Sequence, residues 1–317
     1  MENLTISRLQ ANTRITTFLL VRYAERRTDK NGNSYLDMNL ADKTGEINCK
    51  KWDGDTPVPA AGSVVKVQAT VQDYNGRLQM RIEKIREATE DDPYDLSQLV
   101  AAAPEKPEVM NREILDTVEK FKDEDLKKLV LEMLRIAGDR LMYFPAAQRM
   151  HHAERSGLLH HTTGMLRTAE KMLECYPFLH GDLLRAGVIL HDLAKIDEMK
   201  SDELGNVTDY TRDGLLIGHL VRGVATLHQA AEHVGVKGEK VALLEHMIIS
   251  HHGIAEYGSP RKPMFPEAEV LHWLDILDAR MNEMQGIMER TPAGSFSENI
   301  KSLERRIYHP MYEMDAE

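Results

Sequence analysis

The chain has 317 residues, 42% of them hydrophobic and 29% charged, with 40 Lys+Arg against 51 Asp+Glu and a formal charge of −11. This composition excludes collagen-like, disordered and disulfide-scaffold chains, and no apolar run reaches the ~18–20 residues that span a bilayer. At roughly 150 residues per domain the length predicts two domains.

Met1-Glu2-Asn3-Leu4-Thr5 carries neither the basic nor the apolar region of a signal peptide. Cys49 and Cys175 are far apart and form no CxxC. Free thiols in a reducing, cytoplasmic setting are therefore expected.

Residues 1–88 read as strands. Leu36, Met38 and Leu40 share one face of Ser34–Leu40; Val65, Val67, Ala69 and Val71 alternate with polar neighbours, as do Leu78, Met80 and Ile82. Period-two alternation marks half-buried antiparallel strands. Turns are expected at Asp29–Asn33, Asp42–Gly45 and Tyr74-Asn75-Gly76-Arg77, where Asn-Gly tolerates positive φ. Adding Ile15–Arg22 and Ile47–Trp52 gives five strands, the number of an OB-like barrel.

Charge divides the chain at the same place. Residues 1–88 carry 14 Lys/Arg against 11 Asp/Glu, and residues 89–317 carry 26 against 40. The barrel is mildly basic, so the acidic total does not exclude a nucleic-acid partner. Tyr23, Tyr35, Trp52 and Tyr74 are candidate stacking platforms, and Lys43, Lys50, Lys51, Arg77 and Arg81 are candidate phosphate contacts.

Residues 89–111, with Glu90-Asp91-Asp92-Pro93 and Ala101–Pro107, read as a linker, with a short helical turn expected between those two stretches. From Arg112 the period becomes helical: Ile114, Leu115, Val118 and Phe121, then Leu126, Leu129, Val130, Met133 and Leu134. Leu183–Ala194, Val241–Ser250 and Val270–Met284 read as further helices. The expected architecture is a small all-β barrel (1–88), a linker (89–111) and an all-α bundle (112–317).

The helical part carries the chemistry. His-His doublets stand at 151–152, 160–161 and 251–252, and His191-Asp192 follows the apolar run Val188-Ile189-Leu190. Burying His beside Asp is costly without partners, and a divalent metal supplies one. Lys195 lies four residues after His191, on the same face of a helix.

The ordered set His161, His191-Asp192, His219, His251-His252 and Asp275 resembles the HD-domain metallophosphohydrolase superfamily. Pro145-Ala146-Ala147, His151-His152-Ala153, Gly157-Leu158-Leu159 and Ser250-His251-His252-Gly253 are similar to the YhaM-like 3′–5′ exoribonucleases, and Leu40–Ile47 with Lys51-Trp52-Asp53 resembles their OB segment. Arg155-Ser156-Gly157 departs from the Gly-Gly expected there.

The resemblance implies a two-metal centre. His161, His191, Asp192 and Asp275 would hold one ion, and His219, His251 and His252 the second, with Asp192 bridging. Asp278 competes with Asp275 for the ligand role. Manganese leads the expected metals, before iron, cobalt, nickel, zinc and magnesium. Asp192 and Lys195 are the catalytic candidates, Lys195 stabilising charge on the phosphoryl group, and His151 and His152 are candidate substrate contacts. The implied reaction is hydrolysis of single-stranded RNA, or single-stranded DNA, to nucleoside 5′-monophosphates. A phosphohydrolase of small nucleotides and a non-catalytic nucleic-acid binder are the competing readings. No membrane partner is implied, and a homo-oligomer is left open.

Overall fold

The structure is a computed structural model, and it describes residues 5–74, 76–89, 91–148 and 152–312. Five strands are β1 (Arg14–Thr28), β2 (Ser34–Asp42), β3 (Gly45–Lys51), β4 (Val64–Tyr74) and β5 (Arg77–Glu87). They close a barrel in the order β1-β2-β3-β5-β4, with β4 returning to β1. All pairings are antiparallel except β3 with β5. Closure removes the unpaired edges of a flat sheet.

The alternating rows seen in the sequence fill the interior: Leu36, Met38, Leu40, Val65, Val67, Ala69, Val71, Met80 and Ile82 are all buried. In β1 the alternation fails, because Leu19, Leu20 and Val21 are all buried. Leu19 and Val21 face the barrel core. Leu20 faces outward and is covered by Leu99, Val100 and Leu204, which belong to later segments. A strand covered on both faces reads as a continuous apolar run. Asn75, in the expected β4–β5 turn, lies outside the described residues.

The stretch expected as a linker holds α1 (Leu96–Leu99) and the start of α2 (Pro107–Glu119). Pro107 stands in the first turn of α2, where its fixed φ and missing N–H cost nothing. The remaining helices are α3 (Glu124–Ala137), α4 (Gly157–Cys175), α5 (Gly181–Leu190), α6 (Lys195–Glu198), α7 (Arg212–Leu216), α8 (Gly218–Val234), α9 (Glu239–Ser250) and α10 (Pro266–Arg290). Between α6 and α7 a two-stranded hairpin, β6 (Met199–Ser201) and β7 (Val207–Tyr210), interrupts the helical pattern. Its tip reaches the barrel, where Arg22 donates to the Asn206 side chain. None of the described helices is long and apolar enough to cross a membrane.

Two local details place the site. α4 starts at Gly157, where a Cβ would lie 2.0 Å from the His152 carbonyl oxygen, so the incoming loop closes on the helix only because that side chain is absent. The apolar run 183–194 is not one helix. α5 stops at Leu190, residues 191–194 form a turn, and α6 begins at Lys195. The cause is local: His191 Nδ1 donates to the Val188 carbonyl at 2.8 Å, competing with the helix for that acceptor.

Candidate metal centre

α9 ends as α5 does. His251 follows its last residue and donates from Nδ1 to the Ile248 carbonyl, three residues back, at 2.7 Å. Both rings thereby spend Nδ1–H on their own helix and turn Nε2 to the same point. His252 donates from Nδ1 to the Tyr257 carbonyl at 2.7 Å. His219, in the first turn of α8, has Nδ1 within 3.0 Å of Glu198. His161, on α4, has Nδ1 2.7 Å from Asp278 Oδ2. A carbonyl or carboxylate at one ring nitrogen fixes the other as a metal-facing lone pair.

Asp192 lies at the centre, 2% exposed. Its two oxygens face different residues. Oδ2 is 3.4 Å from His191 Nε2 and 3.9 Å from His161 Nε2. Oδ1 is 3.4 Å from His219 Nε2 and 3.6 Å from His251 Nε2. Asp275 Oδ1 lies 3.4 Å from His161 Nε2, and His252 groups with Asp192, His219 and His251. All seven residues singled out from the sequence thus meet around Asp192, whose two oxygens face different histidines, and His191, His251 and Asp275 also lie within ligand distance of one another.

Among the described residues, Nε2 of His191, His219 and His251 and Oδ1 of Asp192 are buried and make no hydrogen bond. A buried polar atom left unsatisfied costs about 1–3 kcal/mol. Four such atoms lining one buried region suit divalent cations, whose ligands are neutral imidazole and carboxylate with nitrogen and oxygen at ~2.0–2.2 Å when bound.

The electrostatics agree. Burial opposes the Asp192 charge, but Lys195 and His191 outweigh it and hold the carboxyl well below its usual range. Burial likewise opposes the Asp275 charge and is outweighed by its bond to His161 and by His191. Burial pushes His251 down to about 3, so the ring is neutral at working pH. His161 differs: burial is outweighed by bonds to Asp275 and Asp278, and the ring is pushed up to about 9.

A cation at His161 Nε2 must therefore expel a proton at any pH below about 9. Apparent metal affinity should rise with pH, by about tenfold per unit between pH 6.5 and 8.5 if one proton is displaced. Manganese titrations at three pH values check this, and a flat profile contradicts it.

Lys195 Nζ lies 2.6 Å from Oδ2 of Asp192, three residues before it. Burial is outweighed by that carboxylate, which raises its pKa. Glu198 and Asp278 complete the site by holding the Nδ1 atoms of His219 and His161. Glu198 gave no sequence signal: it follows Lys195 by three residues but meets His219 only through the fold.

On the barrel, Tyr35 and Trp52 stack with centroids 4.7 Å apart and planes 30° apart. Lys50 Nζ stands 5.1 Å from the Tyr35 centroid, and Arg81 is beside Lys50 in register. Trp52 is 48% exposed. Lys43 lies apart from this group, in the turn at the far end of the β2–β3 hairpin. Arg77 is also apart, because Gln79 already stands beside Asn48 and the strands are parallel. Lys51 pairs with Leu36 in register, which puts it on the barrel's inner side, and its ammonium goes to Asp53 at 3.2 Å. A cavity of about 520 Å³ opens there, lined also by Lys66, Lys84 and Arg86.

His152 is 4% exposed, with Nε2 2.7 Å from Asp278 Oδ2 and Nδ1 3.1 Å from His160 Nδ1. It faces these side chains rather than an open surface that a phosphate could reach. His151 lies outside the described residues.

Two family models match the chain, an OB-fold nucleic acid binding domain over residues 20–88 and an HD domain over residues 158–280. The chain is 38% identical over 302 residues to the 3′–5′ exoribonuclease YhaM of Geobacillus sp. (strain WCH70), covering 94% of this chain and 92% of that protein. It is 37% identical over 303 residues to proteins of the same name from Listeria monocytogenes serotype 4b and Listeria innocua, covering 94% of this chain and 96% of each. The likeness runs through the closed barrel and the histidine-rich bundle alike, and the chain belongs to the YhaM family of 3′–5′ exoribonucleases.

Proposed function

We propose that the protein is a metal-dependent exonuclease that hydrolyses single-stranded RNA, and single-stranded DNA, from the 3′ end to nucleoside 5′-monophosphates. The observation that carries this reading is the division of the ligand set by Asp192, with Oδ2 toward His161 and His191 and Oδ1 toward His219 and His251. That division suits two divalent ions, manganese first among them. Ions held there supply positive charge for the phosphodiester oxygens and a nucleophile at neutral pH.

The chain's own residues prepare the site for that chemistry. Asp192 shares its charge between the two groups. Lys195 holds Asp192 Oδ2 and brings a buried positive charge, which favours the developing charge of a phosphoryl transition state. The barrel supports single-strand binding without sequence readout, by stacking on Tyr35–Trp52 and by the charges of Lys50 and Arg81.

Digestion of a 5′-labelled single-stranded RNA with manganese tests the reading. The expected result is a ladder shortening from the 3′ end, stopped by chelator and by His191→Ala. Intact RNA, or internal cuts, would overturn it. Trp52→Ala should weaken oligonucleotide binding by roughly 10-fold or more, since stacking contributes about 1–3 kcal/mol per base. The comparison is a fluorescence-anisotropy titration in chelator, and unchanged affinity would remove the platform from the account.

A further inference from the structure

A second group of ligand-type side chains lies outside the seven-residue centre, where the chain enters α4. His152 Nδ1, His160 Nδ1 and Glu154 Oε1 converge there. The separations are 3.1 Å between the imidazole nitrogens, 2.7 Å from His160 to Glu154 and 3.6 Å from His152 to Glu154. Ligand atoms ~2.0–2.1 Å from a tetrahedral zinc stand about 3.3 Å from one another. The three observed separations bracket that value.

The orientation of His152 is set from its other side. Its Nε2 lies 2.7 Å from Asp278 Oδ2 and gives its proton there, which leaves Nδ1 as a lone pair 3.1 Å from His160 Nδ1, 3.4 Å from the Asn282 amide nitrogen and 3.6 Å from Glu154 Oε1. The same Asp278 oxygen receives His161 Nδ1–H at 2.7 Å. One carboxylate oxygen therefore orients two imidazoles, His161 toward the centre around Asp192 and His152 toward this cluster. A carboxylate behind each histidine is how protein metal sites fix ring tautomer and direction.

The backbone is held to the same end. The His152 N–H donates to Asn282 Oδ1 at 3.0 Å, and the residue sits in the left-handed region at φ 51°, which few non-glycine residues occupy. His160 and Glu154 side chains are 24% and 18% exposed, so the cluster has an opening to solvent.

We propose that His152, His160 and Glu154 form a further divalent-cation site of zinc type, separate from the centre around Asp192, with its remaining position open to water. Two imidazoles, one carboxylate and an open position is a common zinc donor set. An ion there would tie residues 152–154 to α4 one residue before His161.

The test counts zinc. The full chain is stripped with chelator, equilibrated with a zinc buffer, and its bound zinc measured by elemental analysis for wild type, Glu154→Gln, His251→Ala and the double variant. Glu154→Gln keeps size and hydrogen bonding but ligates poorly. It should lose one equivalent per chain, and the double variant should add that loss to the loss in His251→Ala. His160→Gln, with circular dichroism to show folding, should repeat the single loss. Zinc content equal to wild type in Glu154→Gln or His160→Gln would leave only a hydrogen-bond network and overturn the proposal. A His251→Ala protein that keeps all its zinc would count against the centre around Asp192 instead, and leave this site standing.

Discussion

Asp192→Ala is expected to reduce RNA hydrolysis by about a thousandfold or more, roughly 4 kcal/mol of transition-state stabilisation. The size follows from position. Asp192 presents one oxygen to His161 and His191 and the other to His219 and His251, so its loss removes a donor from both sides at once. The variant also leaves Lys195 as a buried ammonium without its 2.6 Å partner. Removing one member of a buried pair costs about 3–5 kcal/mol, so a lowered melting temperature should accompany the lost activity. Binding of RNA by the barrel should be unaffected, because Tyr35, Trp52, Lys50 and Arg81 belong to β2, β3, β5 and the residue after β3. Kinetics of 5′-labelled RNA together with anisotropy in chelator separate the two effects. Retention of more than a tenth of the activity would show that the centre does not depend on a shared carboxylate.

Glu198→Ala should lower metal affinity by about 10–100-fold, although Glu198 is not among the seven ligand candidates. Its carboxylate lies 3.0 Å from His219 Nδ1 and also accepts the His219 backbone N–H at 3.2 Å. Without it the ring loses both its tautomer and its direction. The same effect should appear from a second site. A Cβ at Gly214 would stand 2.1 Å from the Glu198 carbonyl oxygen, so Gly214→Ala must displace Glu198 backbone. Manganese titration calorimetry on both variants checks this. Wild-type affinity in Glu198→Ala would mean that His219 is positioned by something else.

The barrel was readable because its strands have one wet and one dry face, and period-two alternation records that directly in Leu36, Met38 and Leu40. Leu19-Leu20-Val21 hid its pairing because Leu204, from a hairpin far along the chain, covers the outer face. His191-Asp192 was readable because a His and an Asp after an apolar run need partners, and the rest of the ligand set came from the resemblance to the HD-domain superfamily. Their spacing could not show that His191 and His251 end their helices by the same ring-to-carbonyl bond.

Lys195 pairs with Asp192, three residues before it, a contact that the alignment with His191 alone did not single out. Glu198 was invisible for a different reason. A charged residue gives no local signal when its partner is 21 positions away and the connection runs through a hairpin and two helix starts. On the barrel, charge alone could not separate the basic candidates. Register did so, leaving Arg81 beside Lys50 and the stacked pair and placing Lys43 and Arg77 toward the opposite end of the strands.

In the proposed function one carboxylate, Asp192, divides the ligand set between two ions. Anomalous diffraction from crystals grown with manganese tests it most directly. Two peaks are expected on either side of Asp192, about 3.5–4 Å apart as in two-metal hydrolases, one near His161, His191 and Asp275 and the other near His219, His251 and His252. A single peak, or peaks that leave either group without an ion, would contradict it.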